Sequence, residues 1–96
     1  YRLAPTIALE RFGEEALVFL AESETFITVN EAAADVLALM LDAFADRAFV
    51  GAELVALLLR HYDLEARAAT GEAAQLLASW TTAGIIVPER AADAYP

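Results

Sequence analysis

At 96 residues, with six basic against fifteen acidic side chains and a formal net charge of -9, the chain has room for one modest core and repels a phosphate backbone rather than binding it. Hydrophobic residues make up 59%, but alanine inflates the figure, so the core must rest on Leu, Val, Ile and Phe; the absence of cysteine excludes disulfides, thiolate catalysis and thiolate metal sites. No apolar run approaches the ~20 residues that span a bilayer, because Asp42, Glu53 and Arg60 interrupt the most hydrophobic region. The expectation is a cytoplasmic protein without a membrane segment, a nucleic-acid partner or a cofactor.

Thr6 to Phe12 sets Ile7 and Leu9 against Ala8 and Glu10, and Ala16 to Ala21 gives a second short apolar run; both alternate with the period of a strand. Between them, Gly13 stands at the first central position of a two-residue hairpin turn and supplies its positive φ. Glu22-Ser23-Glu24 is polar and short, so Thr25 to Val29, rich in β-branched and aromatic residues, returns as a third antiparallel strand. At Asn30 the period changes to about 3.6: Ala33, Val36, Leu37, Met40, Leu41 and Phe44 share one face of a first helix, with Asn30 as its N-cap. A second helix runs from Val50 or Gly51 to about Tyr62, with Leu54, Val55, Leu58 and Tyr62 inward; Leu57 and Leu59 make it apolar nearly all round. Ala66 to Thr70 reads as helix, linker or both, Gly71 argues for a boundary, and a third helix then carries Ala73, Leu76, Leu77, Trp80 and Ala83 and ends at Gly84. Ile85-Ile86-Val87 is expected as a short strand or plug, closing a domain over 1–87, with 88–96 as a tail. The order is α+β: a three-stranded antiparallel sheet, then a three-helix bundle.

Catalytic equipment is missing from this pattern. His61 is the one histidine, in the last turn of a helix where an imidazole interacts well with the dipole. Ser23 and Ser79 lie in no nucleophile elbow, the four glycines form no phosphate loop, and Glu14, Glu15, Glu22 and Glu24 read as solvated hairpin tips. A DNA-reading third helix would carry Arg or Lys, and Gly71 to Ala83 carries neither.

What the residues do offer is a strand edge. Thr25, Phe26, Ile27, Thr28 and Val29 contain no charge, proline or glycine, so this edge is able to accept another extended chain. Four added backbone hydrogen bonds would contribute ~2–6 kcal/mol against an association cost of ~4–15 kcal/mol. Two or three apolar side chains at ~1.5–3 kcal/mol each must therefore enter a groove beside the strand. The alternative is a self-associating interaction module whose edge pairs with a second copy in a homodimer.

The Arg2-Leu3-Ala4-Pro5 opening, the junction Phe26-Ile27-Thr28-Val29-Asn30-Glu31-Ala32-Ala33-Ala34, Glu53-Leu54-Val55 with His61-Tyr62-Asp63, and Leu76-Leu77 through Ala83-Gly84-Ile85-Ile86 together resemble the PqqD family, over nearly the whole chain. The resemblance implies a winged-helix-like fold and a RiPP recognition element: a non-enzymatic domain that binds the leader region of a ribosomally made precursor peptide and presents it to a modifying enzyme such as a radical SAM maturase. It implies that the peptide adds to the third strand along Thr25 to Val29, with Leu76, Ser79, Trp80 and Ala83 of the third helix as wall residues.

Overall fold

The computed structural model describes residues 1–45 and 47–88. The elements follow in the order β1 (Arg2–Leu3), β2 (Ile7–Phe12), β3 (Glu15–Leu20), β4 (Thr25–Asn30), α1 (Glu31–Phe44), α2 (Gly51–His61), α3 (Ala66–Ala83) and β5 (Ile86–Val87). The expected antiparallel sheet followed by three helices is present, and the predicted strand at Thr25 to Val29 is β4. Most of the tail expected at 88–96 lies outside the described residues.

The larger sheet has the order β2-β3-β4, with Phe12 opposite Glu15 at one turn and Leu20 opposite Thr25 at the other. Alternation decides its faces: Ala16, Val18 and Leu20 of β3 are buried, and they share their side with Ile7 and Leu9 of β2 and with Ile27 and Val29 of β4. That side packs on α1. Gly13 takes φ +65 in the first turn, as the sequence requires. The second turn has no glycine, and Glu24 itself adopts φ +52, a strained conformation for an L-residue.

A second ribbon was only half visible in the sequence. Arg2 pairs with Val87 and Leu3 with Ile86, and the Ala4 N–H donates to the Ile85 carbonyl at 2.8 Å. The apolar segment after Gly84 is therefore a strand, and the chain's opening residues are its partner. Gly84 reverses the chain out of α3 with φ +90, and Ile85 and Ile86 are buried beyond it.

The third helix begins earlier than its glycine implied. α3 starts at Ala66, and Gly71 lies inside it. Alanine is the strongest helix former, and the run Ala66, Ala68, Ala69 outweighs the ~1 kcal/mol that one interior glycine costs. α2 buries Leu54, Leu57 and Leu58, while Val55 and Tyr62 stay half-buried and Leu59 is exposed, so its inner face is turned toward Leu57 relative to the expected stripe. With Leu37, Met40 and Phe44 of α1, Val18 and Leu20 of β3, and Trp80 of α3, these leucines form one continuous core.

Candidate functional site

The sheet has two edges of different character. β2, at one end, carries Glu10 and Arg11, charges that discourage pairing with another chain. β4, at the other, pairs only with β3 among the described residues, and from Thr25 to Val29 it bears no charge. Thr25, Phe26 and Thr28 are exposed, whereas Ile27 and Val29 turn inward and are half-buried against the core. Phe26 is 62% exposed and rests on Phe19 of the neighbouring strand, ring centroids 4.7 Å apart. Cross-strand packing thus stiffens an edge that lacks a neighbour.

Asn30 ends this strand and starts the helix beside it. Its backbone is extended (φ -80, ψ 175), and its side-chain oxygen accepts the Ala33 N–H at 2.8 Å. Glu31 follows in the first turn, where a carboxylate suits the positive end of the helix dipole. Arg11 of β2 donates to Asp35 of α1 at 2.8 Å, an exposed pair that ties sheet to helix on the inner side at ~0–1 kcal/mol.

Just past Asn30, an open cleft of about 520 Å³ runs between α1, the end of α2 and the first half of α3. Ala32 and Val36 form one wall, Leu58, Tyr62 and Leu64 the floor and end, and Ala68, Gly71, Glu72 and Gln75 the opposite wall. The four α3 positions fall at helical spacing i, i+3, i+4 and i+7, so they share one face. A Cβ on Gly71 would meet nothing within 4 Å, and the missing side chain widens the cleft there. Tyr62 is the polar group of the floor; burial, with a smaller contribution from the Asp35 charge, raises its phenol pKa and keeps it protonated. Glu72 is the one charged group of the lining.

The four helix residues expected as a wall take different places. Trp80 is 6% exposed and belongs to the core, Leu76 and Ala83 are half-buried against that core, and Ser79 is exposed. None of them lines the cleft, although Ser79 continues the Ala68, Glu72, Gln75 stripe by one further turn. The alanine-rich run before Gly71, open in the sequence between helix and linker, is the first turn and a half of α3 and supplies Ala68 to the cleft. Leu64, an apolar residue between Asp63 and Glu65 and 36% exposed, was the available signal that the connection lines a pocket.

His61 is exposed at the end of α2, and among the described residues no group of three or more His, Asp or Glu is placed to hold a metal. No described helix is long and apolar enough to cross a membrane.

No family model matches the sequence, and no curated protein does. Two solved structures share its fold. TbiB1 in complex with the TbiA(beta) leader peptide superposes with a TM-score of 0.68 at 8% identity, covering 94% of this chain and 99% of that one. A lasso peptide synthetase B1 complexed with the leader peptide superposes with a TM-score of 0.63 at 23% identity, covering 91% and 96%.

Proposed function

We propose that this chain is a PqqD-like recognition element: it binds the leader region of a ribosomally made precursor peptide by strand addition, catalyses nothing itself, and presents the peptide to a modifying enzyme. The observation that carries the reading is an uncharged strand edge, paired on one side only, that ends at an open apolar cleft. The two solved structures of the same fold are both leader-peptide complexes, which supports it.

The physical division of labour follows from the energetics. Backbone pairing along Thr25 to Val29 orients the peptide, but its ~2–6 kcal/mol need not exceed an association cost of ~4–15 kcal/mol. Apolar side chains of the same peptide, entering the cleft past Ala32 and Val36, contribute the remainder at ~1.5–3 kcal/mol each. The modifying enzyme, a radical SAM maturase or another class, and the cytoplasmic setting belong to the same proposal.

The test is a titration of the isotope-labelled chain with synthetic leader segments of short precursors encoded beside it. Amide shifts are expected along Thr25 to Val29 and at Gly71 to Gln75, with the β2 edge at Ala8 to Arg11 silent. Shifts confined to β2, or none with any such leader, overturn the reading. Concentration-dependent shifts of β4 without peptide would favour self-association instead.

A further inference from the structure

The sheet has a second face, opposite α1, whose β2 and β3 side chains backbone pairing at the β4 edge does not engage. Register places Phe12, Leu17, Phe19 and Phe26 together on it, drawn from all three strands. Phe12 is 61% exposed and Phe26 62%, while Leu17 and Phe19 are only half-buried. Single exposed apolar residues are ordinary, but here the Phe19–Phe26 pair continues through Leu17 toward Phe12, and such aromatic-rich surface is enriched at interfaces. The charges on this face are of one sign: Glu10 lies opposite Leu17 and Glu15 opposite Phe12, among the apolar residues, and Arg11 is on the opposite side, engaged by Asp35. Two such faces meeting would set glutamates against glutamates, in a chain already at net -9, which disfavours a second copy. The same glutamates repel nucleic acid and anionic lipid.

We infer that the outer face of the β2-β3-β4 sheet is a docking surface for a different protein, one that presents apolar side chains interleaved with Lys or Arg. The inference does not rest on the peptide reading. Phe12 lies on β2, about 10 Å or two strand spacings from the free edge of β4, so this part of the surface stays clear of an added strand.

Photo-crosslinking in the producing cells tests it. The full chain carries p-benzoylphenylalanine at Phe12 or, as a control, at Leu59 on α2. Position 12 is expected to yield one protein that position 59 does not. That protein, identified by mass spectrometry and purified, should bind with a Kd that weakens about tenfold or more in Phe12→Ser and in Glu10→Lys, and weakens with added salt. Phe12 is exposed, so Phe12→Ser keeps the fold, and an unchanged thermal melt checks this. Leader titrations of Phe12→Ser should match wild type, which separates failure here from failure of the peptide reading. No specific crosslink at position 12, a crosslink only to a second copy of this chain, or a Kd indifferent to both substitutions and to salt overturns the inference.

Discussion

The Asn30 side-chain oxygen accepts the backbone N–H of Ala33 at 2.8 Å, and this bond closes the junction between the open strand edge and the helix that walls the cleft. It satisfies one of the four N–H groups that α1 otherwise leaves without a helical partner. Asn30→Ala should destabilise the chain by about 1 kcal/mol and Asn30→Asp by much less, measured by urea denaturation. Equal losses in both variants would mean that the cap contributes through packing rather than through the hydrogen bond.

Gly71 separates helix stability from cleft space. Its surroundings are open to a Cβ, so Gly71→Ala should raise stability by about 0.5–1 kcal/mol. Gly71→Leu should keep that folded state and project into the cleft, weakening leader binding about tenfold or more by calorimetry. Binding unchanged by leucine at this position would remove the cleft from the site.

Thr81 has the one buried side-chain oxygen without a hydrogen-bond partner among the described residues. Thr81→Val keeps the shape and removes the orphaned hydroxyl, and should stabilise by about 1 kcal/mol. Thr82 is the internal control: its hydroxyl is exposed and donates to the Ala78 carbonyl at 3.0 Å, so Thr82→Val should change the unfolding midpoint little.

The start of α2 carries a pH dependence. Glu53 accepts from Arg47 at 2.6 Å and from the Val50 N–H at 3.1 Å. The Arg47 hydrogen bond first, and the Val50 hydrogen bond second, hold its carboxyl below the ordinary value of 4.5. A carboxyl depressed by folding contributes stability that is fully present above the unfolded value and is lost as pH falls through the folded one. The melting temperature of wild type should therefore exceed that of Glu53→Gln at neutral pH and converge with it in acid. The pair is exposed, so high salt should shrink the difference as well.

Local chemistry made the sheet and the first helix legible. Alternating residues from Ile7 to Leu20, a glycine at the hairpin turn and an asparagine where the period changes each act within a few positions of themselves, and each appears where the sequence implied. The free edge was legible for the same reason, since Thr25 to Val29 states its own lack of charge. What tertiary structure decided were the relationships between distant segments. Arg2 and Leu3 become a strand only because Val87 and Ile86 meet them. Ala68, Gly71, Glu72 and Gln75 come to line the cleft because the helix starts at Ala66, where alanine propensity and packing on α2 override a single glycine. An uncharged strand edge follows from one segment's own residues, but the cleft beside it needs three helices to converge, and no local pattern states how they turn.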